Sequence, residues 1–168
     1  VDPAYEFDMS FWGLELYARL TNDSVVHNAI KNALLEHLPL VYPNGVIDGS
    51  WGARCYKWTT FGSKTADGSQ ILFSLFSKED NRFTTAAIRN LEYLRTMIHD
   101  GMIGSGPDNF ELYETSPCNY PTFARAKNLA LAVELGNQDE EILGKLPSEE
   151  IGLLKEFNTV KVALARTE

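Results

Sequence analysis

Helical periodicity comes and goes along this chain, and two long stretches show none. Phe7, Phe11, Leu14 and Ala18 recur every three to four residues and give out at Thr21-Asn22-Asp23-Ser24, where Asp23 or Ser24 can cap a second helix. That helix carries Val26, Ile30, Ala33, Leu34 and Leu38 on one face and stops near Pro39 and Pro43. The spacing predicts a third helix from about Asp67 to Ser77, through Ile71, Leu72, Leu75 and Phe76, and a fourth through Phe83, Ala87, Leu91, Leu94 and Ile98. Pro121 opens a fifth, with Phe123, Ala126, Ala130 and Val133 as its apolar positions and Gly136 at its end.

The first four helices pair as two hairpins of matching sequence. Asn22 corresponds to Asp80, and Ala29-Ile30-Lys31-Asn32 corresponds to Ala87-Ile88-Arg89-Asn90, an offset of 58 residues (88 − 30). The exits match as well: Asn44-Gly45-Val46-Ile47-Asp48-Gly49 against Asp100-Gly101-Met102-Ile103-Gly104-Ser105-Gly106, an offset of 56 (101 − 45). Repetition of two helices plus a loop predicts a mainly α architecture, part of a helical array or (α/α) toroid in which each hairpin buries its apolar face against the next. Residues 1–146 are read as this partial toroid. Beyond it Ser148 caps a short helix, and Val160, Val162 and Leu164 alternate with Lys161, Ala163 and Ala165 as one strand. A lone strand leaves its backbone groups unpaired, so 147–168 is read as the lead into a β domain outside the chain. The start at Val1-Asp2-Pro3, without Met, points the same way.

Composition narrows the partners. With 168 residues, 44% of them hydrophobic, the chain can bury one ordinary core. Fifteen Lys and Arg against 23 Asp and Glu leave a net charge of −8, which excludes a generic phosphate-backbone binder, so nucleic acid is not an expected partner. No apolar stretch approaches the roughly 20 residues a membrane span needs. Cys55 and Cys118 fall one in each long loop, and a disulfide and two free thiols both remain open. There is no C-x-x-C or H-E-x-x-H, and His27, His37 and His99 lie in helical segments, so neither a metal nor a cofactor is expected.

The two loops hold the candidate chemistry. Val41 to Ala66 contains Asn44, Asp48, Trp51, Arg54, Tyr56, Lys57, Trp58 and Lys64. Aromatic rings beside cations suit a sugar cleft, where rings cover a pyranose face and cations pair with carboxylate or sulfate. Trp51 and Trp58 would equally serve as plugs at the end of the helical array. Arg54, Tyr56 and Trp58 alternate, so an extended loop projects them to one side and Cys55 and Lys57 to the other. Gly101 to Tyr120 offers Asp108, Glu111 and Glu114 as carboxylates, Tyr113 and Tyr120 as phenols and Asn119 as an amide, with Arg125 just behind in the fifth helix. Equivalent places in adjacent hairpins bring both loops to one end, as one cleft.

The stretches Asp48-Gly49-Ser50-Trp51-Gly52, Phe61-Gly62-Ser63-Lys64-Thr65-Ala66-Asp67-Gly68 and Pro117-Cys118-Asn119-Tyr120-Pro121-Thr122-Phe123-Ala124-Arg125-Ala126-Lys127, set on a hairpin repeat, resemble the (α/α) toroid domains of heparinase-like polysaccharide lyases over roughly Val1 to Gly136. The resemblance implies β-sandwich domains after the toroid, secretion, and β-elimination on a uronic-acid polysaccharide. In that reaction a cation or amide neutralises the C5 carboxylate, a base removes the C5 proton, and an acid, often a tyrosine, protonates the leaving oxygen. Arg54, Asn44, Asn119, Tyr56, Tyr113 and Tyr120 supply those residue types, while Trp51, Trp58, Lys57, Lys64 and Arg125 would hold the polysaccharide. Neither loop contains a histidine, so the base is a tyrosine, lies outside this chain, or is absent. A toroidal glycoside hydrolase, with carboxylates drawn from Asp48, Asp67, Asp108 and Glu114, is the alternative enzyme. A non-catalytic scaffold binding glycan or protein is the alternative outside enzymes.

Overall fold

The computed structural model describes residues 6–48, 51, 70–103, 119–136 and 142–167. A π-turn, Glu6–Ser10, leads into α1 (Phe11–Thr21), which ends where Asn22 takes the left-handed conformation (φ 56°). Asp23 then caps α2 (Ser24–His37), its carboxylate accepting from the Val25 and Val26 N–H groups. A 3₁₀ turn, Leu38–Leu40, follows, with Pro39 in its first turn. Next come a 3₁₀ helix, Gln70–Phe76, and α3 (Asn81–Thr96), capped by Asp80. A two-residue hairpin pairs β1 (Ile98–His99) with β2 (Met102–Ile103). The last helix, α4 (Asn119–Leu135), starts two residues before Pro121, which its first turn tolerates.

The helices alternate in direction, and their packing defines two ends. At one end Arg19, near the end of α1, donates to the carbonyls of Leu75 (3.0 Å) and Leu135 (3.2 Å), satisfying the last turns of the Gln70–Phe76 helix and α4. The segments Val41–Asp48 and Ile98–Ile103 leave from the other end, where α4 begins. Between them runs a series of ring contacts: Trp51–His37 (6.0 Å), His37–Phe7 (5.2 Å), Phe7–Phe73 (5.5 Å), Phe73–Phe83 (5.4 Å), Phe83–Phe76 (6.2 Å) and Phe76–His27 (4.9 Å). With Trp12, Leu34, Leu38 and Leu72 these rings form the core.

The two hairpins share a local plan at an offset of 57. Their caps (80 − 23), buried helix positions Ile30/Ala87 and His37/Leu94 (87 − 30, 94 − 37) and the first bridged residues of their exits, Val41 and Ile98 (98 − 41), all agree on it. The offset of 58 read from the sequence instead equates buried Ile30 with Ile88, which is 42% exposed. One residue is 100° of helix, enough to turn a core position toward water.

Four expectations change. Leu14 is 45% exposed, and α1 instead buries Trp12, Glu15 and Ala18, because Glu15 finds cationic and imidazole partners that let a carboxylate leave water. In α4, Phe123 and Val133 face outward (74% and 71% exposed), while Arg125, Asn128 and Ala132 are buried. The strand near the C-terminus is not alone: β4 (Val162–Ala165) pairs antiparallel with β3 (Leu154–Phe157). Phe157, Val160, Val162 and Leu164 pack on the helical core, and the preceding turn is 3₁₀, Pro147–Glu149, entered from Leu146 rather than capped by Ser148.

Candidate functional site

The end that bears the exits is built from α3 outward. Gly45 sits at φ +89° in the turn after α2, and a Cβ there would lie 2.4 Å from the Arg89 carbonyl carbon and the Asn90 nitrogen. This close approach lets Asn90 Nδ2 donate to Gly45 O (3.0 Å) and Arg89 donate to Pro43 O (2.8 Å). Arg89 also pairs with Glu149 (2.9 Å), tying the turn to the C-terminal segment. Burial alone would raise the Glu149 carboxyl; the Leu146 N–H and Arg89 outweigh it and hold the group below its ordinary value. The exit is therefore fixed from both sides. In the sequence Arg89-Asn90 stands out only as part of the repeated stretch, and nothing there marks its approach to Gly45.

Two further groups stand at this end. Tyr42, 37% exposed, has its phenol pKa raised above 10.0, first by burial and then by the charge and hydrogen bond of Asp48. Like any phenol it carries its proton at neutral pH, and Asp48 holds it in place. His37, at the end of α2, has Nδ1 2.7 Å from Ala33 O and Nε2 3.0 Å from Glu6 Oε2, with Phe7, Phe11 and Trp51 around the ring. A carbonyl only accepts, so Nδ1 carries a proton, and Nε2 is engaged by the carboxyl. This histidine braces the end of the bundle, and neither nitrogen is free to act as a base.

The sequence candidates divide among these surroundings. Asn44 is exposed and its Oδ1 accepts from Val46 N (3.3 Å), so it shapes the turn while facing solvent. Trp51 is only 8% exposed and packs on His37, a plug beneath the exit rather than an open platform. Asn119 and Tyr120 are exposed in the first turn of α4, near the second exit, which is anchored by Ile103 N donating to Thr122 Oγ1 (2.9 Å). Arg125 is fully buried and partnered, one turn further in. Arg54, Tyr56, Lys57, Trp58, Lys64 and Tyr113 lie outside the described residues, as do Cys55, Cys118, Asp67, Asp108, Glu111 and Glu114. Both exits do leave from one end, with Asn44, Tyr42, Asn119 and Tyr120 open to solvent there.

The opposite end carries a different cluster. Buried Glu15 accepts from Arg19 (2.8 Å) and meets His27 Nδ1 (3.1 Å); His27 Nε2 meets Glu79 (2.9 Å), which pairs with Lys31 (2.6 Å). Burial pushes Glu79 up, but the hydrogen bonds and charges of Lys31 and His27 outweigh it and bring its carboxyl below 4.5. Beside it Asp80 is lowered chiefly by its hydrogen bonds from Arg82. These contacts join α1, α2 and the start of α3. Among the described residues no three or more His, Cys, Asp or Glu side chains are grouped to hold a metal, and no helix is long and apolar enough to cross a membrane.

A mainly helical unit that fixes two exits on one end belongs to a recognisable class. The profile of the ulvan lyase N-terminal domain family matches residues 1–149, and the chain belongs to that family. A broad-specificity ulvan lyase of Formosa agariphila is 33% identical over 166 residues, which are 98% of this chain and 26% of that protein. The chain thus spans about a quarter of the length of this relative. No solved structure matches it significantly.

Proposed function

We propose that this chain is the N-terminal helical part of a secreted polysaccharide lyase that cleaves ulvan, a uronic-acid polysaccharide, by β-elimination. The family match across residues 1–149 carries the reading, and the name of the relative supplies the substrate. The lyase polypeptide continues into further domains, among them a β domain, and the two hairpins belong to an (α/α) toroid. Their common offset of 57 in caps, buried positions and exits supports the repeat (80 − 23, 98 − 41).

The polysaccharide lies across the end with the two exits. Asn44 and Asn119 are placed in solvent to meet the uronate carboxylate, with Arg54 as the cation that favours the enolate-like charge developing there. Tyr120, at the exposed first turn of α4, and Tyr56 and Tyr113 are the candidates for proton transfer. Tyr42, open to solvent at the first exit and hydrogen-bonded with Asp48, joins them as an acid for the leaving oxygen. Trp58, Lys57 and Lys64 contact the chain, while Trp51 and Arg125 act by holding the ends of α2 and α4 in place.

Incubating the full-length polypeptide with ulvan and recording the absorbance of the C4–C5 unsaturated uronate tests the reaction. New absorbance with shorter chains is expected. New reducing ends without that absorbance would make the enzyme a hydrolase, and neither signal would end the lyase reading.

A further inference from the structure

The α4 helix exposes apolar side chains where a surface helix carries polar ones. Phe123, Ala126, Ala130 and Val133 recur at steps of three, four and three, so they form one stripe along α4, and all four are exposed. The opposite stripe, Arg125, Asn128 and Ala132, is buried. Leu129, Leu131 and Leu135 of the same helix pack on the core, so α4 carries apolar side chains on its inner and its outer side, and a helix apolar all round is one that is covered all round. Two large side chains, Phe123 at 74% and Val133 at 71% exposure, mark the ends of the open stripe, and Lys127 and Glu134 flank it as a polar rim.

We propose that this outward stripe of α4 is the seat of the lyase polypeptide that follows the family's N-terminal domain. The proposal rests on the chain being part of a longer lyase. Nearly all of the chain, 98%, aligns with 26% of the relative, so most of that protein has no counterpart here and is available to cover such a face. Small Ala126 and Ala130 between Phe123 and Val133 leave a shallow groove in which a neighbouring element can approach the helix backbone closely. Covering the stripe also couples the far domain to the second exit, because α4 begins at Asn119 and Tyr120 and is tied to β2 through Thr122.

Hydroxyl-radical footprinting of the full-length polypeptide tests this, with Leu20 of α1, 84% exposed, as the internal reference. After correction for intrinsic reactivity, Phe123 and Val133 should be modified about tenfold more slowly than Leu20, as expected for an interface core. That protection should not change on dilution. Modification as fast as at Leu20 would overturn the proposal, and so would protection lost on dilution, which would assign the stripe to a second copy of the chain. Formation of unsaturated uronate is scored separately on the same sample. Protection without that product would sink the lyase reading and leave the docking face; product without protection would do the reverse.

Discussion

Gly45 and Gly101 both adopt positive φ (+89° and +76°), yet only Gly45 lies against another backbone. Gly101→Ala should therefore cost about 1 kcal/mol, the strain of a side chain in that conformation. Gly45→Ala adds a clash with Arg89 and Asn90 and should cost about 2 kcal/mol or more, read as the urea midpoint of each variant. At Tyr42 the expectation is spectroscopic. Its folded-state pKa is raised, so the stability it contributes is complete below 10.0 and is lost as pH climbs through the folded value. Asp48→Asn removes two of the three causes and should shift part of the phenolate absorbance to lower pH. An unchanged titration would remove Tyr42 from the list of protected acids. Gly45's role was not visible in the sequence, because the backbone it approaches is 45 positions away, and Tyr42 was not singled out although its partner Asp48 lies in the same loop.

Among the elements, the sequence announced caps and exits and concealed the polar faces. Asp23 caps α2 as its position predicts, Asp80, read only as the counterpart of Asn22, caps α3, Ser148 caps nothing, and both Gly-containing exits form antiparallel bridges. The α1 and α4 faces were misread because a buried Glu15 or Arg125 looks, in one dimension, like a solvated charge. Glu15 is tolerated inside because Arg19, one turn on, and His27 of the next helix both meet it. The Glu15–His27–Glu79–Lys31 cluster gives a test at this scale. Glu79, Asp80 and Glu149 all lie below their ordinary values, so the stability they contribute is present above those values and lost as pH falls through the lowered ones. Thermal midpoints should fall on acidification between about pH 5 and pH 3. Lys31→Met, which removes the strongest lowering partner of Glu79, should make that fall shallower; an identical slope would show that the pairing does not contribute.

Over the whole molecule, a mainly helical fold, exits sharing one end and the lyase resemblance were legible in the sequence, and the family match agrees with the polysaccharide lyase. The C-terminal strand was read as unpaired because β3, Leu-Lys-Glu-Phe, is too short and too charged to signal itself. What the fold adds is a division of labour. One end is locked by Arg19 and the carboxylate cluster, while the other presents Asn44, Tyr42, Asn119 and Tyr120 to solvent. The polysaccharide should bind at the second end alone. Hydrogen exchange of the full-length polypeptide, with and without the short unsaturated oligosaccharides left after ulvan digestion, measures this directly. Slowed exchange is expected in Val41–Asp48 and in Asn119–Thr122, with Arg19–Lys31 unchanged. Slowing confined to Arg19–Lys31, or absent from both exits, would contradict a polysaccharide cleft at that end.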